Sequence, residues 1–218
     1  MKVEIWSDFV CPFCYIGKRN FENAIQKADI KGEIEIIYRS FELDPHAKRD
    51  GNLPAKEMLM KKYQMSEARA AQSLSDLTES AKAVGLEYHM DQTIQTNTFD
   101  AHKLSHYAKE QGKAQTYMEH IFKAHFTEGL HIGDHKVLKM IAEVIGLDAN
   151  RVSNILAGDD YADDVRADER MAHEVGIHGV PYFLIDGEFT IYGAQPVASF
   201  LKVFEQAKSP EKANINIF

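Results

Sequence analysis

All the cysteine in this chain of 218 residues sits in one place: Cys11 and Cys14, separated only by Pro12 and Phe13. A C-x-x-C pair can staple a fold, supply half of a tetrahedral metal site, or cycle between dithiol and disulfide. The N-terminus runs from Met1-Lys2 straight into Val3, Ile5 and Trp6, without the basic segment, apolar stretch and small-residue cleavage site of a secretory signal. That points to the cytoplasm, where a lone pair of thiols is kept reduced unless it does redox chemistry or binds metal. The two chemical uses therefore compete.

Zinc would need two more ligands. The ten histidines include two pairs at helical i, i+4 spacing, His102/His106 and His131/His135. Both pairs lie far beyond the roughly 12 to 15 residues that separate the two halves of a zinc finger. No metal is expected. Redox chemistry needs only the pair itself, in a place that favours a thiolate. KVEIW upstream has the residues of a strand, and Tyr15 to Lys27 carries Ile16, Phe21, Ala24 and Ile25 at near-helical spacing, so the pair falls where a strand gives way to a helix. A helix N-terminus offers free N–H groups and about half a positive charge, and Pro12 suits its first position because no N–H is lost there. Cys11 is then expected to be the exposed nucleophile of lowered pKa. Cys14, about one turn on, is expected to be partly buried and to resolve a mixed disulfide. Phe13 brings neither charge nor donor to the pair.

The elements that position the pair follow from the wider pattern. With 44% hydrophobic and 27% charged residues the chain can bury a sizeable core. A net charge of −8 offers no basic footprint for nucleic acid, and no apolar run approaches the roughly 18 residues that a membrane span needs. Residues 3–6 and 33–39 read as strands flanking the first helix, and a crossover of that kind joins parallel neighbours. From about 55 to 175 the pattern is helical. Leu74, Leu77, Ala81 and Val84 share one helix face, as do Tyr117, Met118, Ile121 and Phe122, and Val137, Leu138, Ile141 and Ile145. Ser66, Thr98, Asp134 and Asp148 are placed to cap helix starts, and Gly85, Gly112, Gly129, Gly146, Gly158 and Gly176 to end helices in the left-handed conformation. Strand signal returns at 181–186 and 189–193 around the turn Asp186-Gly187-Glu188, and Pro196 opens a last helix with Phe200, Leu201 and Phe204.

The order is β-α-β, a helical block, then β-β-α. This is the layout of a thioredoxin-like α/β fold with a large all-helical insertion between its halves. The expected division is a discontinuous thioredoxin-like domain of residues 1–42 and 176–208, a helical insertion of 43–175, and a tail of 209–218 whose apolar end (Ile215, Ile217, Phe218) is available for docking. CPFC after the first strand and GVP before the returning one together resemble the DsbA-like branch of the thioredoxin superfamily. Within it, SDFVCPFCYIGK (7–18), NTFDAH (97–102) and GVPYFLIDGEFTIYGAQP (179–196) resemble the cytoplasmic FrnE-like group of oxidoreductases.

The resemblance implies a cis peptide before Pro181, facing the cysteines, and a Val180 backbone able to pair with an extended substrate strand. It implies further that Asn97, Thr98 and His102 line the substrate cleft if the insertion folds over the site. Capping and packing also account for these three. The expected activity is thiol-disulfide exchange by Cys11 and Cys14, assisted by Pro12, Phe13, Val180 and Pro181, on protein or small thiol and disulfide substrates. No cofactor is expected beyond the redox-active pair, with glutathione as a candidate substrate or reductant. Nucleic acid and membrane are not expected partners, and monomer and homodimer stay open.

Two alternatives remain. Kappa-class glutathione transferases and 2-hydroxychromene-2-carboxylate isomerases are similar in layout but typically carry serine in place of Cys11, which leaves them without a disulfide. A noncatalytic thiol-binding module would use an apolar surface around Phe9, Phe13 and Tyr15. The direction of exchange depends on a potential that the sequence does not set.

Overall fold

The computed structural model describes residues 1–51 and 53–208; the tail expected to be available for docking lies outside them. It divides into two compact units, one of Met1–Leu43 with Asp168 onward and one of Asp44–Ala167.

The first unit is built on a four-stranded sheet of β1 (Lys2–Ser7), β2 (Glu35–Ser40), β5 (Tyr182–Ile185) and β6 (Phe189–Tyr192), in the order β2-β1-β5-β6. β1 and β2 are parallel, joined through α1 (Pro12–Ala28) and a 3-10 turn at Lys31–Glu33, while β5 and β6 run antiparallel. The hairpin turn is tight because Asp186 and Gly187 both take positive φ, 51° and 71°, matching the right-handed twist of the strands. Period-2 alternation splits the sheet into two buried faces. On one, Ile5 opposes Phe183, and Phe183 meets Phe21 of α1 and Phe200 of α9 (Val197–Lys208) at ring-centroid distances of 5.5 and 4.9 Å. On the other, Trp6 packs with Ala172 and Ile177, and Val180, Tyr182 and Leu184 close around them. This is the thioredoxin-like arrangement, a sheet between helical layers.

The unit boundary at Asp168 falls inside α8 (Ala162–Glu174), upstream of the boundary at 176 that the glycine pattern suggests. The reason is a buried ion network. Asp168 is 2% exposed, and its carboxylate accepts from Arg39 Nη1 (2.8 Å) and the Ser40 N–H (2.9 Å), while Arg39 also grips Glu4. Trp6 Nε1 donates to the Asp168 carbonyl at 3.1 Å, so the last turns of α8 are fastened to β1 and β2.

The second unit holds α2 (Ala55–Lys62), α3 (Glu67–Lys82), α4 (Phe99–Glu110), α5 (Ala114–Phe126), α6 (His135–Val144), α7 (Ala149–Ala157) and the start of α8. It also has a two-residue ladder, β3 (Leu53–Pro54) with β4 (Ile94–Gln95), too short to leave a sequence signal. Ser66, Asp134 and Asp148 cap α3, α6 and α7 through their side chains. Thr98 holds the N-cap position of α4 without a side-chain bond; instead Asn97 Oδ1 accepts from the Phe99 N–H at 3.0 Å. Gly158 departs from the expected left-handed stop, with φ −122°. Here the buried Lys103 ammonium takes the carbonyls of Ile155 (3.0 Å) and Gly158 (2.9 Å), satisfying the end of α7 by a side chain instead of a glycine turn.

Lys103 is balanced by Asp100 at 2.8 Å, which His135 Nε2 also reaches at 2.7 Å. Burial pushes the Asp100 carboxyl up, but the hydrogen bonds from Lys103 and His135 more than reverse this and hold it below the usual 3.8. A depressed folded-state pKa stabilises the fold at pH values above the unfolded pKa and stops doing so as pH falls through the folded one. Asp100→Asn should therefore be less stable than the parent near neutral pH, by about 1–3 kcal/mol, with the gap closing below about pH 4. Urea unfolding across that range checks this; a gap unchanged in acid would contradict it.

Candidate active site

α1 starts abruptly. Pro12 occupies the first helical position, and Cys11 is the N-cap, extended at φ −89° and ψ 111°. Two backbone bonds fix the turn, from the Cys11 N–H to the Asp8 carbonyl (3.2 Å) and from the Cys14 N–H to the Cys11 carbonyl (3.0 Å). The first turn carries no acidic side chain, so the positive helix end is not neutralised from within.

Both cysteines are free, and both are buried, Cys11 at 4% and Cys14 at 2% exposure. The expected exposed position of Cys11 is therefore corrected: its sulfur is turned onto the Val180 carbonyl, to which Sγ donates at 3.6 Å. Cys14 is buried outright, not partly. Phe9 (1%) and Tyr15 (2%) are core residues too, leaving Phe13, at 49%, as the exposed member of the trio expected to form an apolar surface.

Burial pushes the Cys14 thiol well above its usual range, and the Cys11 sulfur beside it acts in the same direction; the Ser7 hydroxyl and the Asp8 backbone draw it partly back. Within the pair, Cys14 is thus a group that holds its proton.

The returning chain completes the site. The Val180–Pro181 peptide is cis, and the Gly193 N–H donates to the Pro181 carbonyl at 2.8 Å. Pro181 leads into β5, an interior strand between β1 and β6. Gly17 of α1 allows this contact: a Cβ there would stand 2.9 Å from Pro181 Cγ, with Phe183 Cζ and Ala194 Cα at 3.5 Å. Asn20 Nδ2 donates to the Gln195 carbonyl at 3.0 Å, a second tie between α1 and the segment after β6. The structure thus brings Cys11, Pro12, Cys14, Val180 and Pro181 together in one unit. Asn97, Thr98 and His102 belong to the other unit, where Asn97 Nδ2 also donates to the Pro45 carbonyl at 3.4 Å and His102 is buried on α4. His131 bonds the Gly51 carbonyl and His135 the Asp100 carboxylate, both at 2.7 Å. Gly17 and Asn20 escaped the sequence reading. Gly17 alone had a signal, a glycine inside an otherwise helical pattern.

Comparison with known proteins agrees with this geometry. Residues 2–205 match the model of the DSBA-like thioredoxin domain, and the chain belongs to that family of thiol oxidoreductases. It is 31% identical over 215 residues to Uncharacterized protein YwbO of Bacillus subtilis (strain 168), covering 96% of each chain. Among solved structures it is similar to a probable DsbA oxidoreductase, SCO1869 from Streptomyces coelicolor, at 38% identity and a TM-score of 0.93, covering 100% of this chain and 94% of that one. A 2-hydroxychromene-2-carboxylate isomerase shares the fold at 19% identity and a TM-score of 0.69, covering 95% and 94%.

Two outcomes follow from the site. Gly17→Ala drives a methyl into Pro181 and should destabilise the protein by about 1 kcal/mol or more, because the ~1–3 kcal/mol cost of overpacking outweighs the ~1 kcal/mol gain in helix propensity. A urea midpoint unchanged or raised would show that the close approach does not exist. In the reduced protein, peptide mapping after brief iodoacetamide treatment should find Cys14 alkylated only well above pH ~8.5, the range of an ordinary thiol. Labelling of Cys14 at neutral pH would contradict its burial and raised pKa.

Proposed function

We propose that this protein is a thiol-disulfide oxidoreductase of the cytoplasmic FrnE-like kind, exchanging disulfides with proteins or small thiols through Cys11 and Cys14. The observation that carries the reading is the pair itself: two free, buried cysteines close together at the start of α1, with the Val180 carbonyl against the first of them. Cys11, at the helix end, is the sulfur that attacks. Cys14 keeps its proton until a mixed disulfide exists on Cys11, and then displaces the substrate to close the internal disulfide. The Val180 backbone, beside Pro181, offers an extended substrate segment a strand to pair with. Phe13, half exposed between the cysteines, adds an apolar contact.

The glutathione-dependent isomerase or transferase reading is less well supported. Its fold is shared, but the sulfur at position 11 and its partner at 14 equip this chain for a disulfide that a serine there would forbid. Glutathione fits this account as a substrate or reductant instead.

Separate alanine substitutions decide between the readings. Cys11→Ala should abolish both disulfide reduction and oxidation of a reduced protein, a loss of at least about a hundredfold. Cys14→Ala should instead accumulate mixed disulfides on Cys11, visible by mass spectrometry. Glutathione conjugation that survives both changes, with disulfide exchange unaffected, would overturn the proposal.

A further inference from the structure

Gly179, immediately before Val180, has as little room as Gly17. A Cβ there would collide with the Tyr192 hydroxyl, and the next nearest atoms, Cζ and Cε2 at 3.4 and 3.6 Å, belong to the same ring. Tyr192 is the last residue of β6 and pairs with Tyr182 at the start of β5, so the two share a face of the sheet. Its backbone is fixed on both sides: the following N–H, of Gly193, donates to the Pro181 carbonyl at 2.8 Å, and Gln195 Nε2 donates to the Tyr192 carbonyl at 3.1 Å. From this fixed point the side chain reaches back past Pro181 and Val180, and the phenol lies against Gly179. It stands one residue from the carbonyl that receives the Cys11 sulfur.

Exposure singles out the same ring. Among the described aromatic residues of the first unit, Phe13 at 49% and Tyr192 at 52% are the exposed ones, and the others are buried or half-buried. A single exposed ring needs no explanation. These two bear on one spot: Phe13 sits between the cysteines, and Tyr192 lies against the segment that meets Cys11. Each of the two stretches that converge on the reactive sulfur therefore presents an open aromatic face. Large rigid rings of this kind supply contact area at little entropic cost and carry much of the affinity where a peptide docks.

We infer that Tyr192 is a specificity-determining residue, whose ring receives the residue flanking the cysteine of an extended peptide disulfide and so favours peptide and protein disulfides over small ones. The inference rests on the thiol-disulfide exchange proposed above. A strand paired to the Val180 backbone places its cysteine at Cys11 and carries the neighbouring residue past Gly179, beside the phenol. Glycine at 179 serves this directly, because any side chain there would push the ring away. A disulfide too short to extend beyond Val180 gains nothing from the contact.

The test follows oxidation of the reduced protein by acid-quenched mass spectrometry with two disulfides, a symmetric peptide disulfide with leucine on each side of its cysteines and bis(2-hydroxyethyl) disulfide, which has no peptide flank. In both reactions the protein dithiol gives two electrons and two protons to the substrate, which leaves as two thiols while the Cys11–Cys14 bond forms. The parent should prefer the peptide. Tyr192→Ala should raise the half-saturating peptide concentration about tenfold and lower the preference by the same factor, while Tyr192→Phe, which keeps the ring, should retain it to within about threefold. Gly179→Ala, which displaces the ring without removing it, should lower the preference as Tyr192→Ala does, and the double variant should lower it no further. Absence of a peptide preference in the parent, equal slowing of both substrates in Tyr192→Ala, loss in Tyr192→Phe as large as in Tyr192→Ala, or additive losses in the double variant would each overturn the inference and leave the exchange reading intact. A parent that neither disulfide oxidises would instead sink the exchange reading, and the inference with it.

Discussion

The close approach of the first turn of α1 to the chain between Gly179 and Pro181 is the constraint on which the site depends. The sulfur of Cys11 meets the Val180 carbonyl across this contact, and six residues further along the helix there is no room for even a methyl group between Gly17 and Pro181. Neither partner reaches this position by local preference. α1 is held by Phe21 packing on Phe183, and the Pro181 segment is held because β5 lies inside the sheet, paired to β1 on one side and β6 on the other. A sheet edge would have let that segment drift; an interior strand does not. The opposite face, with Trp6 on Ala172 and Ile177 and with Asp168 gripping Arg39, fixes the same strands from behind.

Burial at this contact has a chemical consequence that exposure would not have. A solvated pair of thiols would differ little from each other. Here the second sulfur is enclosed, and its charged form is disfavoured, so the two cysteines are made unequal by their surroundings. The helix end supplies positive character for both. One short junction between strand and helix therefore sets the position and the environment of the pair.

Much of this was legible in the sequence because the signals are local. The strand-to-helix junction around CPFC, the proline at the first helical position, the helix caps at Ser66, Asp134 and Asp148, and the hairpin at Asp186-Gly187 each depend on a few neighbouring residues. What stayed hidden depends on distant partners. Nothing near Gly17 indicates that Pro181 presses against it. Asp168 reads as one more charge on an acidic helix until Arg39 and Ser40 are placed next to it. The burial of Cys11 was missed for the same reason: a helix N-cap is usually wet, and only the arrival of Val180 makes this one dry. Gly158 shows the reverse error, where a local rule for helix ends was overridden by a lysine from another helix.

The most direct measurement is equilibration of the protein with graded glutathione redox buffers, with acid quenching and counting of free thiols by mass. The account predicts one reversible two-electron transition, in which the reduced protein loses both thiols together and gains a bond between Cys11 and Cys14. Thiols that persist unchanged under strongly oxidising buffer, or that are blocked one at a time with no internal disulfide ever formed, would contradict it.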